Sequence, residues 1–230
     1  MPNIKNRWRK FWLRRAGTDR VGRIASKLGA IFTSPYKDRV HLAWLTPKGY
    51  ISPNATIQHN NLKLGKNVFI GDRVTIYKTN DGGPVELEDR VALYGDIIME
   101  TCDDGSIVIG EDTHIQPRCS IVGGGKASVI IGKRVEVASN CAFYPYNHAT
   151  EPGQRIREQP LISRGDIVIE DDAWLGFGVI VLDGVRIGSG AVIGAGSVVT
   201  QDIPADAIAV GSPARVVKMR TNTESKTDSN

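Results

Sequence analysis

The sequence predicts a mainly β chain wound as a coil with three flat sides. Three observations predict it: an apolar residue at every sixth position, a small or β-branched residue four places later, and glycines between them. Residues 169–204 read in sixes as I169-E-D-D-A-W, L175-G-F-G-V-I, V181-L-D-G-V-R, I187-G-S-G-A-V, I193-G-A-G-S-V and V199-T-Q-D-I-P. The first place is always aliphatic: Ile169, Leu175, Val181, Ile187, Ile193, Val199. With 41% apolar residues overall, six such places in a row arise by chance in about 1 case in 200. A period of six suits neither a lone helix nor a free strand; it suits a prism whose side is one hexad and whose turn is about 18 residues. The first place points inward and stacks on its copy a turn later. The fifth place (Ala173, Val179, Val185, Ala191, Ser197, Ile203) sits near a crowded corner. Glycine at the second or fourth place, as at Gly176, Gly178, Gly184, Gly188, Gly190, Gly194 and Gly196, tolerates backbone conformations that other residues resist.

These hexads resemble the hexapeptide-repeat acyltransferases, whose fold is a left-handed parallel β-helix. The segment A209-V-G-S-P-A-R-V-V-K resembles the signature that follows the family's last coil, with Ser212 where Asn is usual. Together these features cover about a third of the chain, and weaker hexads carry the resemblance back to about residue 51.

Taken in order, the chain begins with a basic segment. Residues 1–50 hold 12 Lys+Arg and 2 Asp+Glu, net +10, whereas the whole chain has 29 and 25. The remainder is therefore net −6, and the overall basic balance is poor support for nucleic-acid binding. Within 3–15, Ile4, Trp8, Phe11 and Trp12 fall on one helical stripe among six basic residues. Such a helix suits an anionic membrane surface, or packs its stripe against the helix-like segment 20–31 or a neighbouring subunit. Residues 33–50 read as a connector. The coil is expected over 51–208, with first places at Ile57, Leu64, Ile70 and Ile76. First places then recur at Leu64, Leu87, Ile109 and Ile131, a spacing of 22 or 23 residues. Each turn should therefore carry a small protrusion at one corner, at 79–84, 102–106 and 123–128. A long loop follows at 149–166, and long loops inside compact domains are usually functional. Parallel coils leave sticky ends; the N-terminal helices are expected to cover one end and residues 205–220 the other, with 209–220 as the C-terminal cap. The last stretch, 221–230, has no apolar residue and reads as a disordered tail.

Cys119 and Cys141 occupy fifth places, so both are expected as stacked core thiols, and the three unpaired cysteines suit a reducing cytoplasm. No apolar run reaches the ~18 residues of a membrane span. The expected localisation is cytoplasmic, with peripheral membrane contact through 3–15 as an option.

His41 and His59 read as surface residues, and His114 and His148 take outward sixth places. In the O-acetyltransferases that the chain resembles, the catalytic His opens a loop one coil before a Trp-containing coil, and His148 stands so to Trp174. The resemblance thus implies His148 as general base. Imidazole can take the proton of an acceptor hydroxyl as it attacks a thioester carbonyl, and a backbone N–H would hold the oxyanion. It also implies acetyl-CoA as co-substrate, in a groove between two subunits of a homotrimer. Trp174, Gly176, Ala195 and Thr200 match donor-arm positions, and Arg215 and Lys218 match basic positions near the phosphates. Phe177 departs from the usual small polar residue. For the acceptor, a small molecule or glycan, the candidates are Tyr146, Asn147 and His114, with Arg155 and Arg157 behind them. The expected reaction is O-acetylation of a sugar or sugar-containing precursor. N-acetylation of an amino-sugar nucleotide or another small acceptor is the alternative, as is a non-catalytic relative. A zinc hydratase on the same coil would need three converging imidazoles, and only His114 and His148 hold suitable places; no metal is expected.

Overall fold

The computed structural model of the chain describes residues 4–79 and 81–220. It is a parallel β-helix of about seven turns, with three helices near its N-terminus. The first face stacks Tyr50–Ile51, Phe69–Ile70, Ala92–Leu93, His114–Ile115, Glu136–Val137, Trp174–Leu175, Val192–Ile193 and Ala207–Val210 in parallel register. The second face begins at Thr56–Gln58 and ends at Val198–Val199, and the third runs from Leu62–Leu64 to Arg186–Ile187. The ladder pairs first place with first place, as Ile131 with Ile169 and Ile169 with Ile187.

The hexad expectation holds at side-chain level. All six first places of 169–204 are 0–1% exposed, and Ala173, Val179, Val185, Ala191, Ser197 and Ile203 are buried beside them. One core runs from Ala55 to Ala214; burying one such Val, Leu or Ile is worth about 1.5–3 kcal/mol. Cys119 and Cys141 sit within this core as free thiols, as expected. The fourth place supplies the corner: Asp172, Gly178, Gly184, Gly190 and Gly196 all have φ between 60° and 70°. Where the corner residue carries a charge, the stack alternates sign. Arg134 donates to Asp172 one turn later (2.7 and 2.8 Å), and Arg73 to Asp96 (2.6 and 2.8 Å).

The protrusions gather at one corner, between the second and third faces. There the chain runs from Lys78 to Val85, Thr101 to Ile107, Gly123 to Val129 and, in the long loop, Tyr144 to Ile167. The next turn crosses the same corner between Leu182 and Arg186.

Four details differ from the expectation. Residues 33–50 are more than a connector: Tyr36–Leu45 is a 3₁₀ helix whose Leu42 and Ala43 pack on Tyr50, Phe69 and Ala92 of the first face. The coil runs from Tyr50 to Val210, slightly beyond 51–208. Leu64 holds a first place yet is 37% exposed, because its strand is the last of its face with a neighbour on one side only. His59 is buried, not at the surface. Its Nδ1 accepts from the Asn61 amide (3.2 Å), so Nε2 donates to Thr101 Oγ1 (2.9 Å), which donates to Gly83 O (3.0 Å). Burial holds its pKa below the ordinary value.

Helices α1 (Ile4–Leu13) and α2 (Arg20–Ala30) pack beside the first turns: Leu13 and Ala30 join Tyr50, Phe69 and Ala92, and Arg23 donates to Pro53 O. Asp19 caps α2 by accepting from the Gly22 amide (2.7 Å). Trp8 Nε1 donates to Leu28 O (2.9 Å), so the α1 stripe meets the 20–31 segment at Trp8, while Ile4 and Phe11 stay exposed. At the other end Arg215–Met219 pairs antiparallel with Ala207–Val210 and closes the first face. The expected tail, 221–230, lies outside the described residues.

Candidate functional site

The long loop leaves the second face after Tyr144 and doubles back on itself. Asn147–His148 pairs antiparallel with Leu161–Ile162, which presents His148 exposed at the head of a two-stranded ribbon. The loop has its own polar core. Gln159, 6% exposed, accepts from the Glu151 amide (2.8 Å) and donates to the carbonyls of Glu151 and Gln154 (3.0 and 3.1 Å). Arg155 and Arg157, weak acceptor candidates, lie exposed on this loop, Arg155 paired with Glu158 at 3.2 Å.

Asp183, 4% exposed, ties the ribbon to the coil. Its carboxylate accepts from Asn147 Nδ2 (2.9 Å) and from the Arg164 amide (2.8 Å) and Nε (3.3 Å). Arg164 also donates to the carbonyls of Asp183 (2.6 Å) and Thr200 (3.4 Å), so Thr200 belongs to this corner. Burial alone would push the Asp183 carboxyl up; the Arg164 amide and guanidinium overcome it and hold it below the ordinary value. Thus both ends of the ribbon hang from one buried carboxylate. Sequence reasoning missed Asp183, Arg164 and Gln159, because an acid in a hexad looks the same whether it turns a corner, as Asp172 does, or anchors a loop.

Tyr146 completes this corner. Its ring lies on the preceding turn's protrusion, where a Cβ at Gly124 would meet the ring at 2.9 Å; only glycine leaves that space. Burial pushes the phenol up to about 12.

The donor candidates lie elsewhere. Trp174 (54% exposed) is on the first face and Phe177 (55% exposed) on the corner after it. Gly176 donates its amide to Ile193 O (2.8 Å), and a Cβ there would come within 2.7 Å of the Ala195 amide nitrogen. The two coils therefore meet backbone to backbone beside the indole. An open depression of about 510 Å³ lies next to Trp174, lined also by Arg134, Glu136, Val192 and Arg220. Arg215 and Lys218 are exposed on the final strand.

His114 stands on the first face, two turns before Trp174 in the same outward column. Its Nδ1 lies 3.0 Å from Glu136 Oε1, and that hydrogen bond raises its pKa. It is therefore not beside Tyr146 and Asn147, and the two coil histidines sit on different sides of the prism. In one chain the second face separates His148's corner from the Gly176–Ala195 corner, roughly 15 Å at about 3.3 Å per residue. A partly open cavity of about 100 Å³ lies beside the 3₁₀ helix, lined by Arg39, Tyr50, Phe69 and Tyr94, away from His148.

Known proteins resemble this chain in sequence and in architecture. A profile described as bacterial transferase hexapeptide (six repeats) matches residues 166–201. A Staphylococcus aureus protein named as an acetyltransferase is 34% identical over 164 residues, 64% of this chain and 77% of its own length. The chain belongs to the hexapeptide transferase family. Among other members, the galactoside O-acetyltransferase of Lactococcus lactis is 35% identical over 138 residues, covering 52% of this chain and 66% of that one. A Saccharomyces cerevisiae protein named as an acetyltransferase is 38% identical over 127 residues, 55% of this chain and 63% of its own. The match thus spans a little under two thirds of the length of these last two relatives. Of solved hexapeptide transferases, the polySia specific acetyltransferase NeuO superposes with a TM-score of 0.57 and 26% identity, over 76% of this chain and 81% of that one. The N-acyltransferase AntD of Bacillus cereus, in complex with dTDP and coenzyme A, shares the fold at TM-score 0.54 and 19% identity.

Proposed function

We propose that this chain is a CoA-dependent acetyltransferase that moves an acetyl group from acetyl-CoA to a hydroxyl of a sugar or sugar-containing precursor. The observation that carries the reading is the ribbon pinned by Asp183, which fixes His148 at an exposed position one coil before Trp174. The sugar acceptor draws support from two similar proteins, the galactoside O-acetyltransferase and the polySia specific acetyltransferase.

His148 takes the proton of the acceptor hydroxyl as that oxygen attacks the thioester carbonyl. The C–O bond forms, backbone donors hold the oxyanion, and collapse breaks the C–S bond. The protonated imidazole then returns the proton to the leaving CoA thiolate. Tyr146 and Asn147 flank the acceptor; His114, on the first face, has no part in that corner of its own chain. The donor arm fits the other corner: Trp174 and Phe177 offer apolar walls, Gly176 and Ala195 a backbone-lined floor, and Arg215 and Lys218 charge for the phosphates. Thr200 lies beside the ribbon's anchor.

Because the two corners lie on opposite edges of the second face, the complete site takes one from each of two copies, which a closed homotrimer repeats three times. The second face is suited to such a contact: its outward column next to the Gly176 corner, Thr75, Ile98, Ser120, Ala142, Ile180 and Val198, carries no charge, and the column beyond it carries one, Glu100. Light scattering should return about three times 25.0 kDa; a monomer would contradict it. Acetyl-CoA and three free thiols suit a reducing, cytoplasmic setting, and residues 3–15 offer peripheral membrane contact.

The test is a panel of sugars, nucleotide-linked sugars and amino sugars with acetyl-CoA, followed by thiol release and product mass. A mass gain on an alcohol supports the reading. Gain confined to an amine makes it an N-acetyltransferase, and no turnover with any acceptor overturns it.

A further inference from the structure

The two N-terminal helices carry more exposed apolar surface than their packing explains. Helix α2 buries Gly22, Ala25, Ser26, Gly29 and Ala30, all small. Its larger apolar residues face outward: Val21 is 71% exposed, Ile24 59% and Ile31, just past its end, 61%, with half-buried Leu28 between them. The spacing of 21, 24, 28 and 31 is one helical stripe, and this stripe points away from the core.

Helix α1 brings a second stripe alongside. Ile4 is 82% exposed and Phe11 49%. Trp8 bridges the two: its indole donates to Leu28 O at 2.9 Å and its ring lies 6.4 Å from that of Phe32. Phe32 is itself 51% exposed. The result is one apolar surface built from both helices, and large exposed apolar patches mark interaction sites.

The charge around it has one sign. Residues 4–32 contain nine Lys+Arg and a single acid, Asp19, whose carboxylate is used in capping α2. The guanidinium groups of Arg9, Arg15 and Arg23 donate to the carbonyls of Phe32, Phe11 and Pro53, neutral acceptors that leave the positive charge uncompensated. The Arg23 bond also fixes α2 to the first coil.

We infer that the α1–α2 hairpin is a docking surface for an anionic lipid bilayer, with the Val21, Ile24, Leu28 and Ile31 stripe entering the interface as well as α1. The inference rests on the membrane contact proposed for residues 3–15 and adds a second, pre-packed helix to it. Exposed aliphatic residues ringed by cations, with Trp at the margin, match the chemistry of an acyl boundary below anionic headgroups. A protein partner would be expected to meet some of those cations with its own buried acids; a bilayer meets all of them with one headgroup layer.

The test is flotation of the full chain with vesicles of phosphatidylcholine alone or with 30% phosphatidylglycerol. We expect binding to the anionic vesicles, weakened by high salt. The paired change Ile24→Glu and Ile31→Glu should lower partitioning about tenfold or more, with melting temperature and oligomer mass unchanged. Val21→Glu, at the most exposed place of the stripe, serves as a second variant if the pair does not fold. If the α2 variants float like wild type while Ile4→Ser with Phe11→Ser does not, α1 alone makes the contact and the inference is overturned. If wild type binds no vesicle, the contact through 3–15 falls with it. If the α2 variants change the oligomer mass instead, the stripe is a subunit contact and the inference is overturned. Acetyl transfer by the wild-type chain to a soluble acceptor does not depend on vesicle binding, so failure to float leaves the proposed reaction standing.

Discussion

The two edges of the second face are built in different ways. At the edge carrying Gly176 and Ala195, consecutive hexads meet backbone to backbone, and the chain spends no residue outside the repeat. At the edge carrying His148, every turn from the second to the fifth adds a protrusion, and the last of these becomes a ribbon held by one buried carboxylate. The first edge suits a ligand common to a whole family, because it is the repeat itself. The second suits a ligand that differs between members, because it lies outside the repeat. One chain holds both edges, separated by the width of the second face.

The largest effect expected of any single change is at His148. His148→Ala should lower kcat by roughly 10²–10⁴, leaving the melting temperature and acetyl-CoA affinity near wild type, because the side chain is exposed and its backbone pairing with Leu161 does not need the imidazole. Unchanged turnover on the true acceptor would break the assignment of chemistry to this edge. Mixing sharpens the comparison further. Trp174→Ala should weaken acetyl-CoA binding, and equal co-expression of Trp174→Ala with His148→Ala should regain about a quarter of wild-type activity below saturating donor, the share of mixed sites that receive both intact edges from different copies. Activity no greater than that of the separately expressed variants would mean that each chain builds its own site.

Asp183→Ala ranks next. It removes the shared acceptor of Asn147 and Arg164, so stability should fall by about 1.5–3 kcal/mol, and kcat by roughly tenfold as His148 loses its position, with donor affinity retained. The pH sign follows from its depressed pKa. The carboxylate's contribution is present above the ordinary carboxyl range and is lost as pH falls below about 4 towards the folded value. The acid limb of a melting-temperature curve should therefore be shallower in Asp183→Ala; an identical limb would show that another group carries it. The smallest effect belongs to His114→Gln. The Glu136 bond raises the imidazole pKa, so its stabilisation is present below about pH 6.5 and fades as pH rises through the raised value. For a pair this exposed it should not exceed about 0.5 kcal/mol, and kcat on the acceptor should stay within about twofold. A large loss of turnover would move the acceptor to the first face.

The coil was legible because a stack one residue deep leaves a strict trace: Ile169, Leu175, Val181 and Ile187 must all be apolar for any to be buried. Cys119 and Cys141 were legible for the same reason. The corner of the protrusions could be read from the 22-residue spacing. The anchor at Asp183 could not, since its partners Asn147 and Arg164 lie 36 and 19 residues away and no period links them. His59 was misread because its partner Thr101 lies 42 residues on, across two turns. Nor could a period reveal that His114 and His148 occupy different sides, because the loop's own path, not the hexad, sets where His148 points.

The protrusions at a single corner have a consequence for how this molecule can diverge. Added length there lies outside the ladder, and across the long loop Ile131 still pairs with Ile169 and Ile169 with Ile187. Doubling such a loop costs only about 0.6 kcal/mol in closure entropy. On the proposed reading the loop is an interchangeable part on a fixed chassis: the acceptor it takes can be rewritten without touching the donor edge, provided the new loop still brings one hydrogen-bond donor to Asp183.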